Sequence, residues 1–251
     1  MHHETIRLVP GADTAVLFIH GIVGTPRHFR DAAPLEAAVP DNWSVCNILL
    51  PGHGGSVEEF AHSSMKAWKR RVWETFAMLA KDHEKVLIVG HSMGTLFAMQ
   101  LADACPDKVA GLFLLACPMR PGLRFFGVVN VLRLALGRVR EDHPLEVATG
   151  TACGVETTAL LWKYIPWVPR FLELFVEVGR TERLLPRLGT PCVAWQSRRD
   201  ELVMRHSRKV LERAGTLAVH ELAGSTHFYY CPEDQQILLR EFRSFCSRVT
   251  T

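Results

Sequence analysis

Short runs of apolar, often β-branched residues alternate along most of the chain with longer stretches in which apolar positions recur at helical spacing. This alternation predicts an α/β fold, in which helices cover a mostly parallel sheet. The apolar runs lie at 15–19, 45–50, 85–89, 109–116, 191–196 and 217–222, and residues 6–9 predict a further strand at an edge. The helical stretches lie at about 28–38, 65–81, 93–104, 203–214 and 233–248.

The helix predicted over 65–81 shows the helical spacing most clearly. Trp68, Val72, Phe76 and Leu79 follow one another at intervals of four, four and three residues, so they form one apolar stripe. We expect this stripe to pack into the core. The basic run KAWKRR at 66–71 is then expected on a face that points to solvent.

The alternation stops between residues 118 and 188, where helical pieces broken by glycine and proline contain no convincing strand. An insertion between two strands predicts a helical cap on the α/β core. We therefore divide the chain into a core formed by residues 1–117 and 189–251 and a cap formed by residues 118–188. Large apolar side chains in the cap are candidates for binding an apolar substrate: Phe125, Phe126, Trp162, Trp167 and Phe171.

Composition narrows the classes of function. Lysine and arginine outnumber aspartate and glutamate by only 29 to 26, which is too balanced to indicate nucleic acid as a partner. Seven cysteines are scattered without a CxxC pair, so neither a zinc site nor a disulfide framework is indicated, and a reduced, cytoplasmic location is expected. No apolar stretch reaches the roughly 18 residues of a transmembrane helix, and the N-terminus lacks the apolar core of a secretion signal.

The stretch VLIVGHSMGTLFAMQ at 86–100 places a serine between two glycines where a strand gives way to a helix. So tight a turn requires residues without a Cβ, which explains Gly90 and Gly94, and it makes the hydroxyl of Ser92 project outward. The positive end of the following helix points to the same spot. Ser92 is therefore predicted to be a nucleophile.

A serine nucleophile needs a base, and the base needs an acid that orients it. On a parallel sheet both are expected in loops after later strands. Asp200 follows the strand at 191–196, and His227 follows the strand at 217–222, so they are predicted to be the acid and the base. Glu201 is the alternative acid. The other histidines considered as bases, and set aside, are His91, His143, His206 and His220.

The reaction also requires hydrogen-bond donors for the oxyanion that develops on the substrate. The backbone N–H of Met93, directly after the nucleophile, is one predicted donor. The second is the N–H of Ile22, in the loop HGIVGTP that follows the strand at 15–19. The loop PGHGGS at 51–56 ends another strand near this face, and we interpret it as structural.

With these motifs in hand, the sequence resembles the α/β-hydrolase superfamily, and within it the carboxylesterase and monoacylglycerol lipase group. The resemblance rests on HGIVGTP, LPGHGGS, VGHSMG, DELV and STHF, and it covers nearly the whole chain except the cap. It implies a central sheet with helices on both sides, a cap over the active site, and a triad of Ser92, Asp200 and His227. One departure is Ser197, which stands where relatives commonly carry a glycine before the acid.

The function expected from these residues is hydrolysis of small to medium apolar carboxylic esters, including monoacylglycerols, through an acyl-enzyme on Ser92. This chemistry needs neither a metal nor an organic cofactor. The expected partner is a small ester with an apolar acyl or aromatic group. Two alternatives stay open: an acyl-thioesterase, which uses the same machinery, and a ligand receptor built on a hydrolase scaffold.

Overall fold

The computed structural model describes residues 3–122 and 133–249, and it contains one twisted sheet of seven strands within them. The strands follow the order β1-β3-β2-β4-β5-β6-β7, and every neighbouring pair is parallel except β1 and β3. Their bounds are β1 Thr5–Arg7, β2 Thr14–Ile19, β3 Ser44–Ile48, β4 Lys85–His91, β5 Val109–Leu115, β6 Cys192–Ser197 and β7 Leu217–Leu222. The predicted α/β-hydrolase fold is confirmed, including the edge strand near the N-terminus.

The strand order reverses between β2 and β4, and this reversal determines where a site can form. From β2 the chain runs outward to β3, then crosses back to place β4 on the other side of β2. The carboxyl ends of β2 and β4 are in register, with Ile19 opposite Gly90. Ligands of open α/β sheets bind at such a reversal, outside the carboxyl ends of the strands.

Helices cover both faces of the sheet. They are α1 Val57–His62, α2 Met65–Asp82, α3 Met93–Ala104, α4 Pro144–Ala152, α5 Val168–Leu184, α6 His206–Leu211 and α7 Pro232–Val249. Short 3₁₀ turns occupy Pro26–Phe29, Glu36–Ala38, Leu161–Trp167 and Leu185–Arg187. Among the described residues no helix is both long enough and apolar enough to cross a membrane.

The core has two layers because successive residues of a strand point to opposite faces. In β2, Leu17 and Ile19 face α2 and α3, whereas Val16 and Phe18 face α7. The stripe predicted on α2, including Trp68 and Val72, is buried in the first layer. The second layer is dominated by aromatic contacts such as that of Phe113 with Phe242, whose ring centroids lie 5.1 Å apart.

Two helix predictions need correction, and one helix was missed. The helix expected over 28–38 is wrong: only two 3₁₀ turns form there, because Pro34 interrupts the stretch. The helix expected over 203–214 is shortened to α6. Helix α1, directly after the loop 51–56, was not predicted, although its start carries a capping box in which Ser56 and Glu59 bond each other's backbone N–H.

The segment between β5 and β6 contains α4 and α5, in the region we interpret as the cap. It is tied to the core by a buried carboxylate, Glu177 of α5, which accepts hydrogen bonds from Lys69 of α2 and Gln100 of α3. A second tie joins loops: the N–H of Gly154 donates to the carbonyl of Val23 at 2.7 Å, and the N–H of Gly54 donates to the carbonyl of Gly154.

Candidate active site

The backbone at Ser92 is strained. Its φ of 50° and ψ of −120° lie in a region that residues with a side chain rarely adopt. The strand and helix on either side approach so closely that a Cβ at Gly90 would stand 2.8 Å from Thr95 Cα, and one at Gly94 would overlap the carbonyl of Ile19. The turn is held by the Ser92 N–H, which donates to Leu115 O at 2.9 Å. This geometry matches the predicted strand-to-helix corner.

Asp200 and His227 are brought together although 27 residues separate them. Their loops meet because β6 and β7 are parallel neighbours, and the N–H of Arg199 donates to Ser225 O across the gap. The Nδ1 atom of His227 lies 2.9 Å from Oδ2 of Asp200 and 3.1 Å from Oδ1. A carboxylate only accepts, so Nδ1 carries the proton and Nε2 is left as the basic nitrogen.

The carboxylate of Asp200 is itself held in place. Its Oδ1 accepts the backbone N–H groups of Leu202 at 2.8 Å and Val203 at 2.7 Å. The turn is closed by the Asp200 N–H, which donates to the carbonyl of Ser197 at 3.2 Å. Serine therefore serves in this turn where relatives commonly carry glycine.

Glu201, the alternative acid, has a different position. Its Oε2 accepts the backbone N–H of His227 at 2.9 Å, whereas the imidazole ring bonds Asp200. Glu201 is buried, and burial raises the pKa of its carboxyl above the ordinary value. Two carboxylates thus fix His227, one through its ring and one through its backbone.

The electrostatic balance at His227 favours its charged form. Burial alone would lower the pKa of this imidazole, but the charge and the hydrogen bond of Asp200, with the charge of Glu201, outweigh burial. The pKa of His227 is therefore raised above 6.5. A proton taken up by this ring during a reaction is stabilised by the same two groups.

The two predicted oxyanion donors belong to the loops that flank Ser92. Met93 opens α3, whose first N–H groups have no partner within the helix. Ile22 lies between Gly21 and Val23. A Cβ at Gly21 would stand 2.9 Å from Ser92 Cβ, and Val23 has a positive φ of 59°, as Ser92 has. The N–H of Val23 donates to Nε2 of His53 at 3.1 Å, so the backbone on the far side of Ile22 is fixed.

Four further histidines surround the site, and the sequence reasoning missed most of their contacts. His91 lies within 3.1 Å of His227 O through Nε2, and His28 stacks on His91 with ring centroids 3.7 Å apart. His20 accepts the N–H of Leu50 at 3.0 Å. All four, His20, His28, His53 and His91, are buried. His91 was set aside as the base, and its ring contacts the backbone of His227, whereas the ring of His227 contacts Asp200.

The remaining candidate histidines lie elsewhere. His220 is exposed on β7 and stacks on Trp195 at 4.6 Å, and His206 begins α6 at the surface. His143 caps α4. The imidazole that bonds the Asp200 carboxylate belongs to His227 and to none of these three histidines.

The candidate substrate-binding residues of the cap are scattered. Trp167 is buried, donates its indole N–H to Val57 O at 2.9 Å and packs on Phe60. Trp162 and Phe171 are exposed on the outer surface. Phe125 and Phe126 lie outside the described residues.

This fold and this arrangement at the strand ends define the class of an α/β hydrolase. The chain matches the alpha/beta hydrolase family over residues 16–236, and it belongs to that family.

Two relatives among the curated proteins carry named activities. A pimeloyl-[acyl-carrier protein] methyl ester esterase of Neisseria meningitidis is 30% identical over 214 residues, which cover 82% of this chain and 72% of the relative. A thermostable monoacylglycerol lipase of Bacillus sp. strain H-257 is 33% identical over 92 residues. That second match covers 37% of this chain and spans 36% of the lipase's own length.

Among solved structures, a chain described with two metagenome-derived lipolytic enzymes superposes with a TM-score of 0.72 at 21% identity, covering 98% of both chains. The monoacylglycerol lipase of Paleococcus ferrophilus superposes with a TM-score of 0.69 at 17% identity, again covering 98% of both chains. At these identities the superpositions concern the fold.

Proposed function

We propose that this protein hydrolyses carboxylic esters through an acyl-enzyme on Ser92, and that its substrates are small to medium esters with an apolar acyl group. The observation that carries the proposal is the contact of His227 Nδ1 with Asp200, next to a strained serine turn at the strand reversal. Family membership and the esterase and lipase names of the relatives support ester hydrolysis as the reaction class.

In the proposed reaction, Nε2 of His227 takes the proton of the Ser92 hydroxyl while Oγ attacks the ester carbonyl carbon. The N–H groups of Ile22 and Met93 stabilise the resulting oxyanion. When the C–O bond breaks, the alcohol leaves with the proton from Nε2. A water activated by the same nitrogen then releases the acid and restores Ser92.

A matched series of p-nitrophenyl esters tests this proposal, from acetyl through butyryl and octanoyl to palmitoyl. We expect turnover with a maximum at a short or medium acyl chain, and we expect Ser92→Ala to lower kcat by about 10⁶. The matched control is Ser56→Ala, at the start of α1, which should retain kcat. Turnover that survives Ser92→Ala would refute the acyl-enzyme.

A methyl ester is a second candidate substrate, because the neisserial esterase named for one aligns over most of this chain. Comparing methyl octanoate with monooctanoylglycerol at equal concentration separates the two. An octanoyl thioester in the same assay tests the thioesterase alternative, which requires a higher kcat/KM for the thioester. Ligand binding without turnover of any of these compounds would identify a receptor.

A further inference from the structure

Large apolar side chains dominate the outer surface of the segment 160–176. Eleven of its residues are exposed, and none of their side chains is charged. The indole N–H of Trp162 is the one hydrogen-bonding group among these eleven side chains. These residues include nine of the fifteen large exposed apolar side chains found in the described part of the chain. We call this surface the cap face; it comprises Leu160, Leu161, Trp162, Ile165, Pro166, Val168, Pro169, Phe171, Leu172, Phe175 and Val176.

The charged residues of the same segment are engaged elsewhere. Lys163 pairs with Glu58 of α1 at 2.7 Å, and Arg170 binds the carbonyl of Ser63. The carboxylate of Glu173 accepts the N–H of Met65 at 3.0 Å. These three charged side chains therefore contact the core, and the eleven residues of the cap face include no charged side chain.

The first half of α5 carries large apolar side chains on its outer side as well as on its inner side. Its inner side buries Leu174 and Val178 against the core, while Leu172 and Val176 point outward. Contiguous exposed apolar surface of this kind marks a docking site. Only one side of this helix is covered within the described chain.

The charges at the border indicate what covers the other side. The exposed charged residues of α5 are two arginines, Arg180, which donates to the buried carboxylate of Glu177 at 2.6 Å, and Arg183. They continue the stripe of Leu172 and Val176 at spacings of four and three residues, so apolar side chains pass directly into cations along one helix face. Apolar and aromatic side chains beside arginines are the pattern of helices that lie in a lipid surface.

A protein partner fits less well. Protein interfaces carry a polar rim and about one hydrogen bond per 100–200 Å², whereas the cap face offers a single side-chain donor. That donor, on Trp162, belongs to the residue type that favours the boundary between lipid and water. We propose that the cap face docks on a lipid surface, with its apolar side chains in the acyl region and Arg183 at anionic headgroups.

Vesicle sedimentation tests this proposal with the full chain. Wild-type protein should sediment with vesicles of phosphatidylcholine, and more strongly when phosphatidylglycerol is added. The variant Ile165→Ser/Leu172→Ser should bind at least tenfold more weakly, because each substitution removes a large apolar side chain from the contact with lipid. Trp162→Ser should weaken binding in the same direction.

The chain offers a matched control for this variant. Ile6 and Leu8 are 56% and 54% exposed, close to the 68% and 60% of Ile165 and Leu172, but they lie on and beside the edge strand β1. Ile6→Ser/Leu8→Ser should bind vesicles like the wild type. Arg183→Glu should reduce the gain from phosphatidylglycerol and leave binding to phosphatidylcholine unchanged.

Three results would overturn the proposal: no sedimentation of the wild type with either vesicle, equal losses in both serine pairs, or a dimer in analytical ultracentrifugation that only the cap-face pair abolishes. Because Ser92→Ala should bind vesicles normally, this proposal can fail or stand independently of the proposed catalysis.

Discussion

At the scale of single residues, the site is organised around one imidazole held by two carboxylates. Asp200 bonds the ring of His227 and Glu201 bonds its backbone N–H. Three of the groups in this arrangement, Ser92, Asp200 and His227, were predicted from the sequence because each follows a recognisable strand. The contact of Glu201 with the backbone N–H of His227 was not predicted, because it depends on how the loop places the Glu201 side chain.

The raised pKa of His227 predicts the acid limb of the activity profile. The ring must be neutral to act as base, so kcat/KM should rise with pH through an apparent pKa above 6.5. The charge of Glu201 contributes to raising the pKa of His227. The variant Glu201→Gln lacks this charge, so its acid limb should lie at lower pH than that of the wild type.

The matched control is Glu221→Gln, an exposed acid on β7, which should leave the acid limb in place. A kcat/KM profile of Glu201→Gln that coincides with the wild type, or moves to higher pH, would contradict this account of the electrostatics.

Buried neutral histidines predict a loss of stability in acid. Burial, with the nearby His227 and His20, lowers the pKa of His28 from 6.5 to about 3, and burial also lowers the pKa values of His53 and His91. The unfolded chain therefore takes up protons that the folded chain does not. These three histidines therefore cost no stability above about pH 6.5, and as pH falls toward 3 each lowers the stability by up to ~1.4 kcal/mol per pH unit.

Urea unfolding as a function of pH measures this decline. Replacing His28 by Gln should make the free energy of unfolding less dependent on pH, and replacing the exposed His206 by Gln should not. An unchanged pH dependence in His28→Gln would show that this histidine is not buried in its neutral form.

At the scale of elements, the strands were predicted nearly to the residue because each is a buried apolar run between turn signals. The helices near the N-terminus were not. The stretch 28–38 has helical spacing but contains Pro34, and the proline prevailed over the spacing. The contacts of His53 with Val23 and of Gly154 with Val23 join loops far apart in sequence, so no local sequence pattern predicts them.

The turn between β4 and α3 should tolerate no side chain at position 94. A Cβ there would overlap the carbonyl of Ile19, so Gly94→Ala should lower the free energy of unfolding by about 1–3 kcal/mol and reduce kcat. Gly179 of α5 is the control, because nothing lies within 4 Å of a Cβ there. Gly179→Ala should be neutral or stabilising in urea unfolding. A fully active, fully stable Gly94→Ala would contradict the packing described for the turn.

At the scale of the whole molecule, the core and the cap differ in how far sequence reasoning reaches. The family fold dictates the core, and its alternation of strands and helices is visible in the sequence. Aromatic residues of the cap looked alike as candidates, yet Trp167 is buried against Phe60 while Trp162 faces outward. Where a helix carries apolar side chains on two sides, helical spacing alone does not reveal which side packs against the core.

Active-site labelling tests the central claim most directly. After treatment with a sulfonyl fluoride, peptide mass mapping should locate one adduct on Ser92, and His227→Ala should suppress its formation while leaving the protein folded. Absence of an adduct on Ser92, or labelling at an unchanged rate without the imidazole of His227, would contradict a serine nucleophile activated by this histidine.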